Sequence, residues 1–181
     1  MATDIRKLKK LTSNHTLNWG LNGYETDKVI AISTIEIGNT FEFNLREKNQ
    51  HYKKIWETTS EDIDDLNKII EQGNSFGAFE NDELIGWAIC DFREWNNSLF
   101  IENILIDERF RGQNIGKLFI KNINRKAREL QCRLVELETQ NTNYPAIKFY
   151  QNAGFSITGV NTKLYKNSIE TALFMSFEVL I

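Results

Sequence analysis

Apolar positions recur along this chain with two periods, one near two residues and one near 3.6. Residues 28 to 46, KVIAISTIEIGNTFEFNLR, alternate in places and are rich in β-branched side chains, which predicts strand. SEDIDDLNKIIEQG, 60 to 73, has the other period. Ile63, Leu66 and Ile70 share a helical face, Ser60 is a suitable N-cap, acids fill the first turn and Gly73 stops the run. FGAFENDELIGWAICDF, 76 to 92, reads as two strands joined at Asn81-Asp82, and Asn96-Asn97 marks a second turn before the strand LFIENILID, 99 to 107. After a turn at Gly112 a helix runs to about Leu130, with Ile115, Phe119, Ile123, Ala127 and Leu130 as its buried stripe. LVELET, 134 to 139, is strand. Asn143 caps a short helix that has Pro145 at an early position and ends at Gly154. Strands near 155 to 160 and 171 to 179 close the chain. The first 25 residues show no readable pattern.

Strand, turn, helix and strand over 99 to 139 form a βαβ unit, so its two strands should be parallel. The strands before it are joined by tight turns and should be antiparallel. The expected fold is α/β: a mixed, mostly antiparallel sheet with helices on both faces.

Composition narrows the setting. A chain of 181 residues with 41% hydrophobic content suits one globular domain over 1 to 181. The net charge of -3 makes nonspecific nucleic-acid binding an unlikely default. The charge is uneven: residues 107 to 133 hold eight Lys or Arg against three acids, whereas 59 to 83 hold eight acids against Lys68. An anion site beside the first and a cation-tolerant surface elsewhere would fit, as would two solvated helices of opposite charge. An RNA-binding role for the basic helix fits poorly, because five of its positions are needed for the core. Cys90 and Cys132 have no metal-ligand neighbour at C-x-x-C spacing, so no metal is expected. The start MATDIRKLKK has no apolar core of a signal peptide, and no stretch approaches the ~18 apolar residues that span a bilayer. These features predict a soluble protein of the reduced cytoplasm without a membrane partner, a monomer or homodimer. His15 and His51 match no motif, and Trp19, Trp56, Trp87 and Trp95 are expected in the core.

The candidate chemistry begins at RFRGQNIGKLFI, 109 to 120. Free N–H groups at a helix start, together with the helix dipole, bind anions. The turn is neither G-x-x-x-x-G-K-[ST] nor G-x-G-x-x-G. What remains is R-x-x-N-x-G, Arg111 to Gly116. With N-x-x-A-x-x-F-Y from Asn143 to Tyr150 and AGF at 153 to 155, it resembles the GNAT superfamily of N-acetyltransferases over residues 76 to 160. Asn114 stands where that signature has its middle glycine. Asn is the non-glycine residue that best tolerates positive φ, so the turn should still form. WNNSLFIENILI, FRGQNIGKLFI, LETQNTN, AIKFYQNAGF and the LY at 164-165 further resemble the streptothricin acetyltransferases, antibiotic-resistance enzymes of that superfamily.

The resemblance implies an acetyl-CoA-dependent N-acetyltransferase acting on a primary amine. Residues 76 to 181 would form the cofactor-binding core, and 1 to 75 would help shape the acceptor site. The backbone from Arg111 through Gly112, Gln113, Asn114 and Ile115 to Gly116, with Lys117, would hold the pyrophosphate. Ile104, Leu105 and Ile106 would pair with the pantetheine arm, and Asn143 and Tyr150 would also approach the cofactor. Tyr150 would be the general acid and Tyr165 a second candidate near the acceptor. Glu102 in FIENI is expected on one strand face with Phe100, Ile104 and Ile106. A carboxylate so placed should have a raised pKa, as a base needs. Glu138 and Asp91 could attract a small cationic amine. A streptothricin-type acceptor is the sharpest reading. A peptide or protein amine, a polyamine, and a non-catalytic CoA-binding module are the alternatives.

Overall fold

The structure, a computed structural model, describes residues 3–12, 19–167 and 169–180. Nine strands and three α-helices occur among the described residues. In order they are β1 (Asp4–Lys7), β2 (Gly23–Ile37), β3 (Thr40–Ile55), α1 (Ser60–Ile70), β4 (Phe76–Glu80), β5 (Glu83–Arg93), β6 (Ser98–Ile106), α2 (Ile115–Glu129), β7 (Leu134–Gln140), α3 (Tyr144–Asn152), β8 (Ser156–Asn161) and β9 (Ala172–Glu178). Most strand pairs are antiparallel and β6 pairs with β7 in parallel, the mixed α/β arrangement that the patterning predicts. The chain divides into two compact units: Met1–Asn22, Trp56–Leu137 and Phe177–Ile181 in the first, Gly23–Ile55 and Glu138–Ser176 in the second.

In the first unit β1, β4, β5, β6 and the start of β7 lie side by side. The β4–β5 turn works as its Asn-Asp sequence suggests, with φ of 48° at Asn81 and 66° at Asp82. Ile63 and Ile70 of α1 pack with Trp87 and Ile89 of β5 and with Leu8, Leu11 and Trp19. Asn67 of α1 replaces a backbone partner there: its Oδ1 accepts from Leu11 N at 2.7 Å and its Nδ2 donates to Leu11 O at 3.0 Å. Ala88, Cys90 and Ile101, on the opposite face of the β5–β6 pair, are also buried, so that sheet is covered on both sides. The helix α2 buries Ile115, Phe119, Ile123 and Ala127, as its period requires, each contributing about 1.5–3 kcal/mol for a large side chain. Leu130 is the half-buried C-cap and not part of the helix.

The second unit holds the β2–β3 hairpin, the β8–β9 hairpin and α3 around Ile30, Ile147 and Leu173. Asn141 ties it together. Its Nδ2 donates to Ile30 O at 2.8 Å, and its Oδ1 accepts from Thr171 N at 2.7 Å.

Several expectations are corrected. Thr59, not Ser60, caps α1, because its side chain accepts from Asp62 N while Asp62 reaches back to Thr59 N, a reciprocal cap that Ser60 cannot form one residue later. The stretch 28 to 46 is strand as expected, split by a turn at 38 to 39 into β2 and β3, and both strands run beyond it. Trp19 and Trp87 are core, with ring centroids 4.8 Å apart, but Trp56 is exposed and Trp95 is 83% exposed. His51 is exposed beside Asp27 at 3.1 Å, and His15 lies outside the described residues.

Candidate active site

The first unit carries the turn. Asn114 adopts φ 65° and ψ 9°, the left-handed conformation anticipated for it, and α2 begins at the next residue. Its side chain makes no capping hydrogen bond. The N–H of Arg111 is already used, donating to Glu108 O at 3.2 Å. The groups offered to an anion therefore begin at Gly112. From Gly112 to Lys117 no backbone N–H donates to a partner among the described residues. Gly112 has φ 77°, and a Cβ there would meet nothing within 4 Å, so glycine is needed for conformation and the space beside it is open.

Arg111 itself is a clamp. Its Nε donates to Ile106 O at 3.0 Å, and its other arm donates to Leu21 O. Glu108 completes the corner, accepting from Leu21 N at 3.0 Å through its carboxylate and donating its own N–H to Trp19 O at 2.9 Å. Gly20, with φ 74°, allows this approach, since any Cβ would collide with the Glu108 side chain. Asp107 is buried and receives Arg109 N at 3.0 Å and Arg109 Nε at 3.1 Å, and the Arg109 guanidinium holds its carboxyl below the usual carboxylate range. None of Gly20, Leu21 and Glu108 could have been picked out from the sequence, because their contacts span about ninety residues of chain.

Glu102 is the extra residue of a β-bulge. Cys90 stands opposite Ile101 and Ile89 opposite Asn103, so Glu102 has no partner across. The bulge breaks the alternation, which corrects the expectation for this strand. Phe100 stands opposite Asp91, but Ile104 stands opposite Ala88 and Ile106 opposite Gly86, on the other face. The pairing of β6 with β7 also stops here, at Ile101 with Leu137. Beyond it, the β7-facing edge of Ile104, Leu105 and Ile106 has no strand partner within this unit. The Glu102 side chain is 39% exposed. Burial of the remainder raises its pKa, which Arg93 opposes and Asp91 reinforces.

The second unit carries the other candidates. Asn143 caps α3, its side chain accepting from Ala146 N at 3.3 Å, and Pro145 sits in the first turn. Tyr150 is buried on α3, its ring edge-on to Phe149 at 5.0 Å and Phe155 at 5.5 Å. Tyr165 donates its hydroxyl to Glu138 Oε1, and burial, followed by this carboxylate, pushes its pKa up. Tyr165 is thus a protonated donor throughout the physiological range. Beside it lies a pair that sequence reasoning missed. Glu170, with 3% of its side chain exposed, accepts from Lys54 Nζ at 2.7 Å on both oxygens and from the Tyr52 hydroxyl at 3.1 Å. Lys54 also lies 5.6 Å from the Tyr165 ring centroid. Among the described residues no group of His, Cys, Asp or Glu could hold a metal ion, and no helix is long and apolar enough to cross a membrane.

A helix start whose N–H groups have no partner among the described residues, entered through a left-handed residue and preceded by a bulged strand, gives an α/β fold of the GNAT type. The sequence pattern of the acetyltransferase (GNAT) family matches residues 41–155, and the chain belongs to that family. Within it, the chain is 35% identical to a streptothricin acetyltransferase of Streptomyces lavendulae over 97 residues, 52% of this chain and 51% of that one. The chain thus spans about half the length of that curated relative. A crystal structure of a nourseothricin acetyltransferase superposes with a TM-score of 0.77 at 25% identity, covering 99% of this chain and 100% of that one. A protein of the streptothricin acetyltransferase type from Bacillus anthracis str. Ames, solved with acetyl coenzyme A, gives 0.71 at 26% identity over 98% and 99%.

Proposed function

We propose that this protein is a cytoplasmic N-acetyltransferase that moves an acetyl group from acetyl-CoA to a primary amine on a small cationic acceptor, a streptothricin-type antibiotic being the first candidate. The observation that carries this reading is the bulge at Glu102, beyond which the edge of β6 away from β5 has no strand partner among the described residues of its unit, Ile106 O being taken by Arg111 Nε. Such an edge can receive the amide groups of a pantetheine arm. The N–H groups of Gly112 to Lys117 would meet the pyrophosphate, with the Lys117 ammonium adding charge at the helix start. Asn143 is assigned to the same arm.

The chemistry follows from the groups available. The amine nitrogen attacks the thioester carbonyl carbon, the C–S bond breaks and the thiolate leaves. Glu102, directly or through a water, takes the proton that the amine sheds. Its raised pKa makes it a stronger acceptor than an ordinary carboxylate. Tyr150 supplies the proton to the departing thiolate, and exchange with solvent restores both groups. No covalent enzyme intermediate is required. Glu138 and its Tyr165 partner are assigned to the acceptor, where a carboxylate favours a cationic substrate over a neutral one.

Release of free CoA thiol from acetyl-CoA, measured against streptothricin-type amines, polyamines and peptide N-termini, tests this reading. Turnover with the β-lysyl amine of a streptothricin is expected, falling as salt rises. Equal turnover of neutral amines would favour a peptide substrate. Absence of acetyl-CoA binding at millimolar concentration would remove the enzyme assignment.

A further inference from the structure

Arg93, which no motif singles out, stands between two carboxylates. Its Nε lies 3.2 Å from Asp91 Oδ2, and its Nη2 lies 3.9 Å from Glu102 Oε2. The guanidinium carbon sits 3.5 Å from the centroid of the Phe100 ring, which supports it from one side. Asp91 is itself held, since its Oδ1 accepts from Gln72 Nε2 at 2.7 Å while Gln72 Oε1 accepts from Phe92 N at 2.9 Å. The register explains the grouping. Asp91 and Phe100 stand opposite each other, and Arg93 follows Asp91 by two residues on the same face. Glu102 follows Phe100 by two and joins them because the bulge comes after Phe100.

We infer that Arg93 is a positioning residue, shared unequally between Asp91 and Glu102, that fixes the orientation and proton affinity of the base. This rests on the reading of Glu102 as the base. Asp91 holds the cation in the closer, hydrogen-bonded contact, and Glu102 has only the longer one. A carboxylate gripped by a full bidentate arginine would be a poor proton acceptor. One with no cation near it would stay protonated to higher pH. The division leaves the lone pairs of Glu102 uncommitted to Arg93. Among the described residues, Arg93 and Asp91 are the charged groups that act on it. Their effects have opposite sign, which gives the inference a directional test.

Arg93→Gln removes the cation, so the acid limb of the kcat profile should move to higher pH. Turnover at the acidic end should fall roughly 2- to 10-fold more than at the plateau. Asp91→Asn removes a like charge and releases Arg93 to Glu102, so the limb should move to lower pH. Arg93→Lys, which keeps a cation, should return the limb most of the way to its unsubstituted position. A purely structural Arg93 would lower stability or plateau rate without moving the limb. The titration of the Glu102 side-chain carboxyl, followed by carbon NMR in the free protein, should show the same order without any substrate. That order in a protein lacking acetyl transfer would retain the coupling and remove the functional reading. An active enzyme whose limb and carboxyl titration are unmoved by both substitutions, or moved in the same direction by both, overturns the inference. If Arg93→Gln does not fold, the direction of the Asp91→Asn shift decides alone.

Discussion

Glu102 and Glu170 are both glutamates beside a cation, yet they are built for opposite ends. Glu170 is nearly sealed, with both oxygens on Lys54 and one also on the Tyr52 hydroxyl. Both oxygens are engaged and the group is buried, the marks of a structural anchor. Glu102 sits on an irregular residue of a strand, partly open, with Arg93 at 3.9 Å and already committed elsewhere. Carboxylates near a positive charge are common, and what separates a base from an anchor is whether acceptor capacity remains.

The widest test of that contrast is Glu102→Gln, which keeps shape and removes basicity. It should lower kcat by about 10²- to 10⁴-fold with little change in KM, as steady-state kinetics will show, while leaving the unfolding midpoint nearly unchanged. Tyr150→Phe should give a loss of the same order with acetyl-CoA affinity retained. If Glu102 is the base, kcat of the unsubstituted protein should rise with pH as Glu102 loses its proton. Because burial raises that pKa, the rise should fall above the pH of an ordinary carboxylate and be absent in Glu102→Gln. An unchanged rate in either variant would return that residue to a structural role.

Glu170→Gln reverses the pattern. It leaves Lys54, whose side chain is only 22% exposed, without its carboxylate, and should cost about 2–4 kcal/mol in urea unfolding. If stability is kept and activity lost, Glu170 belongs to the site and the contrast fails.

Asp107 gives a smaller effect in the first unit. Asp107→Asn should cost about 1–2 kcal/mol, less than a sealed pair because Arg109 is 60% exposed. The Asp107 carboxyl titrates lower folded than unfolded, so its contribution is present above the unfolded pKa. It is lost as pH falls through the lower folded value. Acid unfolding of the variant should therefore show less pH dependence in that window. The smallest change is expected from Asn114→Gly. Asn114 already holds the left-handed conformation that glycine adopts freely, so acetyl-CoA affinity by calorimetry should shift by less than about 1 kcal/mol. Tightening beyond that would mean the Asn114 side chain obstructs the pyrophosphate.

Much of this was legible locally. The stripe of α2 follows from spacing, and the parallel β6–β7 pair follows from strand, helix and strand in succession. Asn143, Pro145 and Gly154 bound α3 through intrinsic backbone preferences. The same holds for Asn114, one of the few non-glycine residues able to enter the left-handed region cheaply. Each of these depends on a residue and its near neighbours in the chain.

Other features have no local mark. FIENILI carries no glycine to announce a bulge, and its β-branched and aromatic content suggests a regular strand. Only the register of β5, with Cys90 opposite Ile101 and Ile89 opposite Asn103, makes Glu102 the odd residue. Arg93 reaches Glu102 across the β5–β6 hairpin in a register that the bulge sets, and Lys54 reaches Glu170 from a segment far away in the chain. The sequence determined the elements, their caps and the backbone turn that can receive an anion, because those energies are local. Tertiary structure alone decided which carboxylate is open and which is spent, because a side chain's charge and solvation depend on what other segments bring beside it.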